Sequence, residues 1–240
     1  MNFSKYSKET KNLADLLLKG EIPLSSSHLK MINLVENESK VLEVGCANGF
    51  MSAELKKKGC DVTGIEIDSE FADKAKENAD EVIVGNIEDP KTSEHIKGKF
   101  DYIIFGDILE HLIDPFNAVI KLKPFLSKDG TIIVSLPNIG IWWMRRDMLR
   151  GQFFYTDTGL LDRTHLRFFC FCSAKQFFQD LDLDIRNIFV TSSDFPFKNR
   201  LIKLFPALSK TIEKFGDKLA MKRPNLFGFH FVFVVKPKIK

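Results

Sequence analysis

The stretch Val41-Leu42-Glu43-Val44-Gly45-Cys46-Ala47-Asn48-Gly49 constrains this chain more than any other. Three of its first four residues have the apolar, branched character of a strand buried on both faces of a parallel sheet. The strand runs straight into a small, turn-prone tetrad at 45–48 and then Gly49, after which Phe50-Met51-Ser52-Ala53-Glu54-Leu55 opens a helix. Such a strand–glycine turn–helix unit puts unpaired N–H groups and the positive end of a helix dipole at the carboxyl edge of a sheet, where open α/β folds bind nucleotide-like ligands. Gly45 and Gly49 permit positive φ and close approach of a ligand to the backbone. A dinucleotide fingerprint is excluded, since G-x-G-x-x-G needs glycine at 47 and 50, where Ala47 and Phe50 stand. A P-loop is excluded because no Gly-Lys-Ser/Thr follows.

From residue 41 the chain alternates strand and helix. Strands are expected at 41–45, 61–66, 81–85, 100–105 and 130–135, and helices at 50–58, 69–79 and 114–126. The alternation argues a parallel sheet with right-handed crossovers, so that the loops at the strands' carboxyl ends meet at one site. Hydrophobic stretches at 185–191 and 227–235 complete the sheet, and a helix is expected over 173–181. Residues 1–40 read as a helical N-terminal cap, with Leu13, Leu16, Leu17, Leu29, Ile32 and Leu34 near helical spacing and Ser25-Ser26-Ser27-His28 capping the second helix.

Composition narrows the class. A chain of 240 residues suits one domain with insertions, and 44% apolar with 28% charged residues is ordinary for a globular protein. The net charge of +3 does not call for a nucleic-acid partner. No apolar run approaches the roughly 18 residues of a membrane span, the start lacks a signal-peptide core, and Cys46, Cys60, Cys170 and Cys172 lack zinc-ligand spacing. A reduced, cytoplasmic setting is expected.

The expected strand ends carry the chemistry. The second leads into Gly64-Ile65-Glu66-Ile67-Asp68 and the third into Val84-Gly85-Asn86-Ile87-Glu88-Asp89. The fourth reads Phe100-Asp101-Tyr102-Ile103-Ile104-Phe105-Gly106-Asp107-Ile108-Leu109-Glu110-His111-Leu112-Ile113-Asp114-Pro115. With Glu43, Gly45 and Gly49 in register with an acidic residue followed by G-x-G-x-G, and Ala47 replacing the middle glycine, the chain resembles the class I S-adenosylmethionine (SAM) methyltransferases. The 100–115 segment closely resembles that of bacterial and archaeal small-molecule members, including quinol O-methyltransferases and those encoded with glycan-assembly enzymes. The run 137–169, with Tyr155-Thr156-Asp157-Thr158-Gly159 and Asp162-Arg163-Thr164-His165-Leu166-Arg167-Phe168-Phe169, resembles the glycan-associated branch. That branch continues with Thr where Cys170 stands, which moves the expected helix cap to Ser173.

The resemblance implies a Rossmann-like fold: a mostly parallel seven-stranded sheet flanked by helices, one domain over 1–240, with insertions at 139–169 and 194–224 forming a substrate lid. It implies SAM as cofactor, with Glu43, Gly45, Cys46, Ala47 and Gly49 forming the loop under its methionine end. Glu66 then takes the ribose hydroxyls, Ile67 flanks the adenine, Asn86 accepts from the adenine amino group, the Ile87 N–H faces the neighbouring ring nitrogen, and Asp107 lies by the methyl donor.

SAM carries an activated methyl, so the protein must align a nucleophile at roughly 3 Å and remove its proton. Asp107, Glu110 and His111 stand at i, i+3 and i+4, which a helical turn would display together. His111 is the expected general base, with His165 the second candidate and Glu110 beside them; a histidine that only shapes the loop is the competing reading. Arg145, Arg146 and Arg163 would bind an anionic acceptor, or else pair with Asp147, Asp157 and Asp162. The set Asp107-x-x-Glu110-His111 with His165 is similar to the Glu-x-x-Glu-His set of metal-dependent small-RNA 3′-terminal ribose methyltransferases. Here the first position is Asp and no other RNA-binding feature appears, so no metal and no nucleic acid are expected.

Residues 198–223 bring eight basic residues against Glu213 and Asp217, around an apolar stripe of Leu201, Leu204, Leu208, Ile212, Phe215 and Leu219. A stripe packed on the sheet with a solvated lysine face is the favoured reading, and weak contact with a membrane surface the alternative. The expected function is O-methylation of a small molecule or saccharide intermediate. Methylation of a polyprenyl quinol precursor is the alternative enzyme, and a non-catalytic SAM-binding regulator the alternative of another class.

Overall fold

The computed structural model describes residues 8–238. In chain order the elements are α1 (Lys8–Leu18), α2 (Ser26–Leu34), β1 (Lys40–Val44), α3 (Phe50–Lys57), β2 (Asp61–Glu66), α4 (Ser69–Ala75), β3 (Glu81–Val84) and α5 (Pro90–Glu94). There follow β4 (Phe100–Gly106), α6 (Pro115–Leu122), β5 (Leu126–Pro137), α7 (Trp142–Leu149), α8 (Phe171–Asp180) and β6 (Leu183–Ser193). The chain closes with α9 (Lys198–Leu204), α10 (Ser209–Lys222), α11 (Pro224–Phe227) and β7 (Gly228–Pro237).

The strands form one sheet in the order β3-β2-β1-β4-β5-β7-β6. The first five run parallel, and β7 inserts antiparallel between β5 and β6. From β1 the chain builds outward through β2 and β3, then returns to lay β4 on the other flank of β1. The winding reverses between β1 and β4, which opens a crevice outside their carboxyl ends. Alternation along the strands divides the core: Leu42, Ile103, Phe105 and Val134 face a cluster with Val119 of α6 and Phe178 of α8, while Val41, Ile104 and Ile133 face Met31 of α2 and Leu55 of α3.

All expected strands occur within a few residues of their windows. The helix expected over 114–126 stops at Leu122, because Pro124 cannot continue it and a 3₁₀ turn, Lys123–Phe125, follows. The expected cap at Ser173 is corrected. The helix begins at Phe171 with Cys170 as N-cap, and Ser173, in its first turn, accepts from the Cys170 N–H at 2.9 Å. The N-terminal segment is helical with Ser25 as N-cap, as expected, although the first seven residues of that segment lie outside the described ones. It is more than a cap, since Met31 and Ile32 of α2 are core residues.

The largest correction concerns α9 and α10. The expected stripe packs only in part: Leu201, Ile212 and Leu219 are half-buried, whereas Leu204, Leu208 and Phe215 are exposed, together with Phe197, Phe205 and Met221. Within α10 the buried positions are Gly216 and Ala220, with Ile212 and Leu219 half-buried, so the helix approaches edge strand β6 mainly through its smallest side chains and turns Phe215 and Met221 outward.

Candidate functional site

The turn after β1 is held by backbone geometry. Gly45 (φ 71°), Ala47 (φ 48°) and Gly49 (φ 81°) are all left-handed, and the Gly45 and Cys46 N–H groups both donate to the Ile65 carbonyl, at 2.8 and 3.1 Å. A Cβ at Gly45 would lie 2.7 Å from Ile108 Cδ1, and one at Gly49 2.9 Å from Asn78 Cβ. Glu66 ends β2 and ties the turn to its own loop, accepting from the Ala47 N–H at 2.8 Å and the Asp68 N–H at 2.9 Å. Cys46 is fully buried; burial, then the charges of Glu43 and Glu66, push its thiol up. Glu43 is buried within β1 and accepts from the Ser52 hydroxyl at 2.5 Å. Burial pushes its carboxyl up to about 8, with the bond from Ser52 opposing and the charge of Glu66 adding.

Beyond β2 and β3, Ile67 and Asn86 are exposed while the Ile87 side chain is buried. Asn86 Oδ1 accepts from the Glu88 N–H at 2.9 Å, which fixes the amide at the loop's surface. Glu66 itself is only 1% exposed. Helix α1 spans this corner: Asp15 accepts from Asn48 Nδ2 at 3.2 Å and pairs with Lys74, while Lys11 pairs with Asp68 and Glu70.

Asp107 departs from the sequence expectation. Its backbone is left-handed (φ 51°), and only Leu109–His111 forms a turn, of 3₁₀ type, so Asp107 is not displayed beside Glu110 and His111 on a helix. Its carboxylate accepts from the Ser135 hydroxyl at 2.6 Å and lies 3.6 Å from His28 Nε2 and 3.9 Å from His230 Nε2. Burial opposes ionisation of Asp107, but the charge of His230, the contact with His28 and the bond from Ser135 together hold its carboxyl well below the usual range.

Glu110 and His111 gather instead with His165. The three offer ligand-type atoms that all lie within 4.8 Å of one another, and the two imidazoles meet edge-to-face at 4.7 Å. The insertion is stapled here: the Leu166 and Arg167 N–H groups both donate to the Glu110 carbonyl, at 2.8 and 2.9 Å. Burial, then the charge of His165, hold the His111 imidazole down to about 4, and burial also lowers His165. Burial and the neighbouring Asp107 push Glu110 upward. Arg146 and Arg163 are paired with Asp147 and Asp157, while Arg145 binds the Gly140 carbonyl instead of an aspartate.

Thus Gly45, Cys46, Ala47 and Glu66 are tied together at the ends of β1 and β2, Ile67, Asn86 and Ile87 follow β2 and β3, and Glu110, His111 and His165 converge after β4. Sequence reasoning missed His28, Ser135 and His230 around Asp107. No local motif marks them; they meet because α2 packs on the sheet and antiparallel β7 pairs with β5, setting Pro137 opposite His230.

A family model described as methionine biosynthesis protein MetW matches residues 25–200. Among curated proteins, the ubiquinone biosynthesis O-methyltransferase of Actinobacillus pleuropneumoniae serotype 7 is 33% identical over 108 residues, covering 41% of this chain and 46% of that protein. The chain spans about half the length of the curated relatives it matches. Among solved structures, a SAM-dependent methyltransferase from Archaeoglobus fulgidus aligns with a TM-score of 0.61 at 14% identity over 94% of both chains. The plantazolicin methyltransferase BamL, solved with S-adenosylhomocysteine and a triazolic desmethylPZN analog, aligns with a TM-score of 0.60 at 16% identity, over 97% of this chain and 92% of its own. The fold is the Rossmann-like class I methyltransferase fold.

Proposed function

The chain belongs to the MetW family, and from that premise we propose that it is a SAM-dependent methyltransferase acting on an oxygen of a small-molecule acceptor. The observation that carries the reading is the pairing of two groups at the sheet's reversal point. The left-handed glycine turn hooked to Glu66 lies on one side, and the Glu110–His111–His165 cluster on the other.

The residues fit the cofactor. Glycine at 45 and 49 lets a ligand approach the backbone of the turn closely, and the Glu66 carboxylate at the end of β2 would take the ribose hydroxyls. Asn86 Oδ1 and the Ile87 N–H would serve the base. When bound, the cofactor supplies a methyl on a sulfonium. Asp107 would lie by the donor, and the acceptor's proton would be handled by the cluster.

Two observations bear on the acceptor class. The curated relative's name points to a quinone precursor, and exposed Phe197, Leu204, Phe205, Leu208, Phe215 and Met221 lie in a segment rich in lysine and arginine. That surface supports a second reading, a lipid-borne quinol met at an anionic membrane. A saccharide acceptor rests on the sequence likeness of 137–169 alone. Among the described residues no helix is long and apolar enough to cross a membrane.

Formation of S-adenosylhomocysteine, measured over a panel of catechols, quinols and saccharides, tests the activity. Cofactor binding without turnover on any of them would instead mark a SAM-binding regulator. In parallel, Glu66→Ala should weaken SAM and S-adenosylhomocysteine in calorimetry by about 1.5–3 kcal/mol, or roughly ten- to a hundredfold. Unchanged affinity would remove Glu66 from the site. Co-sedimentation with phosphatidylglycerol vesicles, lost on Phe215→Ser with Met221→Ser, would favour the quinol reading.

A further inference from the structure

The Glu110–His111–His165 cluster holds an unresolved polar group. Glu110 is 1% exposed, and neither of its carboxylate oxygens has a hydrogen-bond partner. Every other contact at the cluster is satisfied in a way that prepares ligands. His165 Nδ1 lies 3.0 Å from the Leu160 carbonyl. A carbonyl only accepts, so Nδ1 carries the proton and Nε2 is left as a lone pair. His111 Nδ1 faces the Thr164 carbonyl at 3.2 Å and the Thr164 hydroxyl at 3.0 Å, while that hydroxyl donates to Asp162 at 2.6 Å. His111 is therefore also an Nδ1–H tautomer with a free Nε2. Both rings have their orientation and tautomer fixed by oxygen acceptors behind them, the arrangement that backs metal-bound histidines.

From this geometry we infer that Glu110, His111 and His165 form a binding site for one divalent transition-metal ion, with further positions open to the acceptor. Two neutral imidazoles and one carboxylate suit borderline ions such as Zn²⁺, Fe²⁺, Mn²⁺ or Co²⁺ better than Mg²⁺. Metal–ligand bonds of about 2.0–2.2 Å place neighbouring ligand atoms about 3–3.4 Å apart. The present separations, all within 4.8 Å, therefore require at most about 1.5 Å of closure by side-chain rotation. His111 is half-buried and gives the ion a path in. Asp107 belongs to the separate group with His28, Ser135 and His230 and is outside the ligand set. The ion's role toward an acceptor, binding its hydroxyl and easing loss of the proton, rests on the methyltransferase reading; the site itself does not.

The test uses the full chain stripped with chelator and titrated with Co²⁺ and Mn²⁺, followed by calorimetry and by the Co²⁺ absorption bands. One equivalent per chain is expected, weakened at least tenfold in Glu110→Gln and in His165→Ala. Wild-type protein that takes up no ion would overturn the site, whatever the variants do. So would ion binding unchanged in folded Glu110→Gln, whose shape matches the native residue. SAM affinity is measured on the same samples. Ion binding without SAM binding would sink the methyltransferase reading and leave the site, and SAM binding without ion binding would do the reverse.

Discussion

The loops after β1, β2 and β3 and the loops after β4 and β5 follow the same edge of the sheet, yet the chain assembles them differently. On the first flank each functional position follows its own strand within a few residues: Gly45–Gly49 after β1, Glu66 and Ile67 at β2, Asn86 and Ile87 after β3. The contacts join neighbouring parallel strands, as when Glu66 holds the Ala47 N–H. On the second flank Glu110 meets His165 from the 139–169 insertion, and Asp107 meets His28 from α2 and His230 from β7. The first flank is a repeated local motif, and the second is a product of tertiary packing. Changes on the first should therefore act on cofactor binding and stability, and changes on the second on turnover.

The largest expected effect is on the second flank. His111→Ala should lower kcat by about 10²–10⁴-fold, whether the imidazole acts directly or through an ion, with SAM affinity within about twofold of wild type. Burial and His165 hold this imidazole near 4, so if it acts directly as the base the low-pH limb of kcat should fall near 4, well below the 6.5 of an ordinary histidine. Calorimetry showing a large loss of SAM affinity in His111→Ala would erase the division between the flanks.

On the first flank, Gly45→Val should be the most damaging substitution. It places a branched side chain at φ 71° and a Cβ 2.7 Å from Ile108 Cδ1. Overpacking and backbone strain together should cost about 2–4 kcal/mol, read as a lower denaturation midpoint along with lost SAM binding. The clash is with the protein's own Ile108, so the glycine serves the fold as well as the ligand. A stable Gly45→Val protein that binds SAM normally would show that this turn is not the binding turn.

This contrast explains what the sequence made legible. Apolar strand runs, glycine turns and strand-end acidic residues are local, and they place the sheet and the Glu66 loop within a few residues. The grouping of Asp107 with Glu110 and His111 fails because i, i+3, i+4 spacing presumes a continuing helix, whereas Asp107 has a left-handed backbone and its carboxylate bonds Ser135. His28 and His230 carry no local signal and lie far from Asp107 in sequence. The α10 stripe was read as core because an apolar period usually packs. Gly216 and Ala220, small enough to approach β6, are its fully buried positions, and of the stripe in this helix Ile212 and Leu219 are half-buried while Phe215 stays outside.

The flanks should also respond oppositely to pH. Glu43, pushed up to about 8, keeps its proton in the folded chain while the unfolded chain loses it near 4.5. Its contribution to stability therefore falls as pH rises from about 4.5 to 8. His111, held at about 4, is neutral when folded while the unfolded chain takes a proton near 6.5. Its contribution is complete above 6.5 and is lost as pH falls toward 4. Glu43→Gln, which keeps an acceptor for Ser52, should remove the alkaline loss and raise stability at pH 8 relative to pH 5 by an order of 2 kcal/mol. Urea denaturation at both pH values reads it, and an unchanged difference would mean that Glu43 is ionised in the folded chain.

The smallest effect is the one most specific to this chain. Ala47 stands where the family pattern has glycine and adopts φ 48°, a conformation that costs a residue with a Cβ about 1 kcal/mol or more. Its N–H still donates to Glu66, and glycine would keep that bond while relieving the strain. The greater freedom of glycine in the unfolded chain offsets part of the gain. Ala47→Gly should therefore stabilise by only about 0.5–1 kcal/mol, a rise of roughly 1–4 °C in Tm for a chain of this size. SAM affinity should be unchanged, because the backbone path is already that of a glycine. A lower Tm would mean that the Ala47 methyl contributes packing worth more than the strain, and weaker SAM binding would mean that the strained alanine holds the turn in its binding shape.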